Sequence, residues 1–223
     1  MKLRLAPLSL LALDLILAAV PATAQAVYSN GPTNGNTDAW TVNFRAVVSD
    51  SFNVSYSTTT ITGAEFAMWL YPGDTLTSAQ LSITSLPFGG TSYFDQTVNF
   101  TQLGCISNDF GYNVCDESTT FNGPRLNSGT YWLTLQNALV PSGDPIYWDE
   151  NSGPSHALQC CNATQPLTNA VGTIPSEAFT ILGFPNVTAT TIGGPGTVPE
   201  PTTMMLFGSG ILTLVDVVRR KLF

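Results

Sequence analysis

Apolar and polar positions alternate along residues 41–48, where Val42, Phe44, Ala46 and Val48 share one side. The alternation returns along residues 65–71, where Phe66, Met68 and Leu70 oppose Ala67, Trp69 and Tyr71. A period of two is the mark of a strand with one face in a core. Further strand-like runs occupy residues 76–84, 93–103, 112–121, 130–137, 146–148 and 178–182. Turn clusters part them, among them Pro72-Gly73-Asp74, Phe88-Gly89-Gly90 and Pro141-Ser142-Gly143-Asp144. Between residues 27 and 197 no apolar stripe keeps a helical period, while Thr, Ser, Val, Tyr and Phe abound. The pattern predicts eight or nine short strands in an all-β, antiparallel β-sandwich of jelly-roll or lectin-like type. Residues 159–173 read as a polar loop, and residues 185–197 as a Gly/Pro/Thr linker.

The two ends follow a different pattern. Lys2 and Arg4 precede an apolar run over residues 5–20, and Ala24-Gln25-Ala26 supplies small residues at an A-x-A cleavage site. Residues 1–26 therefore read as a signal peptide with an apolar helix, and Val27 as the first mature residue. At the other end Val198-Pro199-Glu200-Pro201 leads into an almost unbroken apolar run over residues 204–218, followed by Arg219-Arg220-Lys221. Two prolines around Glu200 hold the backbone extended, the form in which a processing enzyme can thread it. The basic cluster resists translocation and stays on the cytoplasmic side. A fifteen-residue helix rises about 22 Å against a hydrocarbon core of about 30 Å. So short a span suits a segment that dwells in the membrane only until it is processed. The expected order is a signal peptide at 1–26, a β-sandwich ectodomain at 27–184, a linker at 185–197 and a sorting tail with a transmembrane helix at 198–223.

The tail, with its Val198-Pro199-Glu200-Pro201, its apolar stretch through Leu206-Phe207-Gly208-Ser209-Gly210-Ile211-Leu212 and its Arg219-Arg220, resembles the PEP-CTERM sorting signal. That resemblance covers about 24 residues. It implies recognition by a membrane exosortase-like processing enzyme and export to the cell surface or extracellular matrix of a Gram-negative bacterium, often in company with exopolysaccharide. The same tail is also attached to some proteins labelled as ice-binding. Within the middle of the chain, Phe88-Gly89-Gly90-Thr91, the segment from Gly129 to Leu135 and Tyr147-Trp148-Asp149-Glu150-Asn151 resemble a recurrent β-sandwich ectodomain found with this signal. That resemblance implies architecture and location, and no catalytic residue.

Charge narrows the chemistry. Residues 27–197 hold two arginines, Arg45 and Arg125, and no lysine, against twelve carboxylates. Phosphate binding needs a cationic stripe, so a nucleic-acid role is excluded. The one histidine, His156, stands in a Gly/Pro/Ser loop without a partner motif, and no His/Cys spacing suits zinc, so neither Ser/Cys hydrolysis nor a metal cofactor is expected. Four cysteines in an exported chain are expected to pair. Cys105 and Cys115 flank the turn-like Asn108-Asp109-Phe110-Gly111, which favours a disulfide between them, whereas the pairing of the adjacent Cys160 and Cys161 stays open.

The reading that follows is a non-enzymatic structural or adhesive surface protein. Its first alternative is a carbohydrate-binding module, in which rings stack on sugar C–H faces while carboxylates and amides bond the hydroxyls. Trp148, Asp149, Glu150 and Asn151 are the candidate glycan-binding residues, unless Trp148 and Trp132 are core aromatics of adjacent strands. A second alternative, glycan cleavage by paired carboxylates, finds its densest pair in Asp149-Glu150. Neighbours on a strand point to opposite faces, which sets that pair apart. The remaining acids read as solvated surface.

Overall fold

The computed structural model describes residues 24–160, 172–174 and 176–186. All of them lie in a unit that ends at Val187. The expected signal helix, most of the linker, the apolar tail and Cys161 fall outside the described residues. Twelve strands, all paired antiparallel, make one hydrogen-bonded network: β1 (Gln25–Ser29), β2 (Ala39–Thr41), β3 (Val47–Leu70), β4 (Ser78–Leu86), β5 (Gly89–Asn99), β6 (Thr101–Ser107), β7 (Asn113–Thr120), β8 (Arg125–Leu139), β9 (Tyr147–Asp149), β10 (Ala157–Cys160), β11 (Gly172–Ile174) and β12 (Phe179–Pro185). The all-β, antiparallel expectation holds, and among the described residues there is no helix.

The organising element is β3, 24 residues long. Its first half pairs with β8 on one side, from Val47↔Gln136 to Val54↔Gly129, and with β10 on the other. Its second half pairs with β7, from Gly63↔Thr120 to Leu70↔Asn113, and with β12 and β9. The register to β8 slips at a bulge between Val54 and Thr58, and the β8 ladder ends at Thr60, just before β7 takes over at Gly63. Two glycines permit the close approach there. A Cβ on Gly63 would lie 2.6 Å from the Thr119 carbonyl oxygen, and one on Gly183 would lie 2.4 Å from that of Thr60. Both halves of β3 feed one core, to which the first contributes Val48 and Phe52 and the second Ile61, Phe66, Met68 and Leu70. β4, β8, β9 and β12 add Leu81, Ile83, Leu133, Leu135, Trp148 and Ile181.

Three expectations need correction. The strand expected over 41–48 is broken, because Phe44 and Arg45 sit at φ 52° and 69° in a tight turn closed by Ala46 N–H donating to the Asn43 carbonyl at 2.9 Å. Phe44 is consequently 62% exposed. The run 93–103 is two strands, since β5 pairs with β4, β6 pairs with β7, and the chain crosses between them at Phe100. The polar loop expected from 159 includes the ends of β10 and β11, which pair with each other through Ala157↔Ile174. Ladder hydrogen bonds there need no apolar alternation.

Candidate functional site

The four residues singled out for glycan contact are placed inside. Trp148 has no exposed surface; its ring meets Phe66 edge-on at 5.4 Å and Phe179 at 5.7 Å, and its indole N–H donates to the Ala178 carbonyl at 3.0 Å. The core reading of Trp148 therefore holds, and it offers no face to a sugar. Asp149 is also fully buried. Its carboxylate accepts the Asn34 N–H at 2.6 Å, the Gly35 N–H at 2.8 Å and the Trp69 indole N–H at 2.6 Å. Glu150 accepts the Trp40 indole N–H at 2.8 Å. The strand alternation does send these two carboxylates to different indoles. Asn151 donates to the Asn30 and Pro32 carbonyls and accepts the Gly153 N–H. Glu150 and Asn151 border a pocket of ≈ 530 Å³ that the loop from Gly31 to Asn34 also lines; the Glu150 backbone carbonyl and the Asn151 amide hold that loop, while the Glu150 carboxylate is taken by Trp40.

Acids expected at the surface also turn inward. Asp50, Glu117, Asp149, Glu150 and Glu177 are all buried. Asn30 bridges two of them, its amide lying 3.1 Å from Asp50 Oδ2 and 2.6 Å from the Glu177 carbonyl, while Asp50 also accepts the N–H groups of Ser51 and Glu177. Burial pushes Asp50 up to about 6 despite hydrogen bonds from Ser155 and those two amides. Burial, and then Asp116, pushes Glu117 up to about 7. Glu177 rises well above the carboxylate range through burial, then through Asp50, Glu150, Asp149 and Asp38. The carboxyl oxygens of Glu117 and Glu177 have no hydrogen-bond partner. Protonation, favoured for Glu177 and, below about pH 7, for Glu117, lowers the cost of enclosing these side chains. Among the described residues no cluster of His, Cys, Asp and Glu is arranged to hold a metal ion. His156 is exposed, as a loop residue should be.

The aromatic surface lies elsewhere, at the end of β3 and on the β6–β7 hairpin. Phe110 stacks on Trp69 at 5.6 Å and 20°; Tyr112 leans on Trp69 at 5.7 Å, on Tyr71 at 4.9 Å and on Tyr147 at 5.5 Å. Phe110 and Tyr71 are exposed. The hairpin that carries Phe110 is closed by Cys105–Cys115, a disulfide that matches the expectation from the turn between them. Its tip is fixed further, for Asn108 Oδ1 accepts the Phe110 N–H at 3.1 Å and the Tyr112 N–H at 3.0 Å. Cys160 is also disulfide-bonded. Sequence reasoning missed this face because its five aromatic rings come from three separate segments. The one local signal was the outward side of the 65–71 alternation, Trp69 and Tyr71.

At the processing sites, Ala24 precedes β1 and Ala26 lies in it, paired with Leu182. A cut after Ala26 would remove the first two residues of β1 and leave Val27–Ser29. The sorting residues Val198, Pro199, Glu200, Pro201, Arg219, Arg220 and Lys221 lie outside the described residues. No curated protein matches the chain. Residues 197–221 match the family model of the PEP-CTERM protein-sorting motif. The chain thus carries at its C-terminus the sorting motif of exported, exosortase-processed proteins.

Proposed function

We propose that this chain is exported as a membrane-anchored precursor, processed at its Pro-Glu-Pro segment, and placed at the cell surface or in the matrix of a Gram-negative bacterium, where its β-domain has a non-enzymatic structural or adhesive role. The observation that carries the reading is the motif match over residues 197–221, with the basic-apolar-small order of residues 1–26 at the opposite end. An apolar helix over residues 204–218 would hold the precursor in the membrane until processing. The partner change along β3 supports a two-layer sandwich of jelly-roll or lectin-like type.

Two features support a non-enzymatic domain. The densest acid pair, Asp149-Glu150, accepts hydrogen bonds from two indoles and a loop backbone, and burial favours the protonated form of Glu177. Replacing Pro199-Glu200-Pro201 by three alanines tests the sorting. The expected outcome is loss of the processed form and accumulation of a membrane-bound precursor. An unchanged distribution between medium, envelope and membrane would refute it.

A further inference from the structure

We infer that the aromatic face formed by Phe110, Tyr71, Tyr112 and Tyr147 binds a neutral polysaccharide. This goes beyond sorting and adhesion: the export reading can stand while this one fails. A sugar platform needs ring faces open to solvent, hydroxyl-bonding groups at their rim, and rigidity before the ligand arrives.

Phe110 is 57% and Tyr71 38% exposed, with Tyr112 and Tyr147 partly exposed between and beside them. At the rim, the Tyr112 hydroxyl donates to that of Tyr71 at 3.4 Å, and the Asp74 carboxylate accepts the Ser142 hydroxyl at 2.8 Å. Rigidity comes from the Cys105–Cys115 closure and the Asn108 turn, which set Phe110 flat on Trp69. Burying Trp69 alone would not require the outward edge of Tyr71 or the neighbouring carboxylates.

Charge selects the occupant. Asp144 lies within electrostatic reach of Tyr71, Asp74 closes the turn that follows Tyr71, and residues 27–197 hold two arginines against twelve carboxylates, so a polyanion is repelled while uncharged pyranose hydroxyls find acceptors.

The test is affinity electrophoresis of the exported protein, in native gels cast with soluble mixed-linkage β-glucan, galactomannan or xylan, and with alginate as the polyanion. Retardation is expected with at least one neutral glycan and not with alginate. Phe110→Ala and Tyr71→Ala should each weaken it roughly five- to tenfold, the loss of one stacked ring. Tyr56→Ala, an exposed ring elsewhere on β3, should leave it unchanged. Thermal midpoints of the variants within a few degrees of the parent show that the fold is retained. Absence of retardation in every neutral glycan, retardation by alginate, or retardation that survives both ring deletions would overturn the inference.

Discussion

Replacing Glu117 by glutamine keeps the shape of a side chain that β7 buries and removes its ability to ionise. Glu117 stands opposite Phe66 of β3, between the buried Cys115 and Thr119 on the same face. Its two oxygens have no hydrogen-bond partner, so the amide forfeits none. Its folded-state pKa is raised from 4.5 to about 7, by burial first and Asp116 second. A raised pKa means that the folded state holds the proton more tightly than the unfolded one. The native domain is therefore not penalised below about pH 4.5, loses stability as pH rises through 7, and carries the full cost above that. The shift corresponds to roughly 3 kcal/mol at about 1.4 kcal/mol per pKa unit, and solvent screening near the β6–β7 edge brings the expected cost to about 2 kcal/mol. Urea unfolding of both proteins at pH 4 and pH 8 measures it. Glu117→Gln should match the parent at pH 4 and exceed it by about 2 kcal/mol at pH 8. An equal difference at the two pH values, or a less stable variant at pH 8, would refute the reasoning.

Trp148→Ala should cost about 3–5 kcal/mol in unfolding free energy, as deletion of a fully buried ring does, while leaving retardation by neutral glycans intact under conditions where the variant is folded. Chemical denaturation and affinity gels together check this. Removing the Cys105–Cys115 link by a double serine substitution should cost about 2–3 kcal/mol from a loop with sequence separation 10, and should raise protease sensitivity at the hairpin tip. Arg45→Gly should stabilise by up to about 1 kcal/mol, because glycine relieves the residue at φ 69° in the turn before β3; a lower thermal midpoint would contradict that.

The period-two pattern disclosed most strands because inward positions such as Phe66, Met68 and Leu70 are apolar wherever a strand covers the core. It failed in the centre of β3, where Ser55 to Ser57 sit in the register break and are exposed, and where the inward positions that follow are Thr59 and Ile61, only one of them apolar. It failed at Phe44 as well, since alternation cannot register a left-handed turn that throws a phenylalanine outward. The candidate site was legible only in part. Tyr147 to Asn151 drew notice as a mixture of ring, acid and amide, yet local sequence does not say which face of a strand is inside. Trp148 packs into the core, and Asp149 is bonded instead by Trp69 of β3 and by the backbone of Asn34 and Gly35. Asp50 and Glu177 looked like surface acids because nothing near either in sequence foretells Asn30, which joins them from more than a hundred residues away in the case of Glu177. The sorting tail needed no tertiary information, being read by its linear order of proline, acid, apolar run and arginine.

The central claim, export followed by C-terminal processing, is tested most directly by the intact mass of the protein recovered from its native host, fraction by fraction from medium and envelope. The account predicts a chain that begins near Val27 and has lost the apolar tail beyond Pro199-Glu200-Pro201. A mass that extends through Phe223 in every fraction would contradict it.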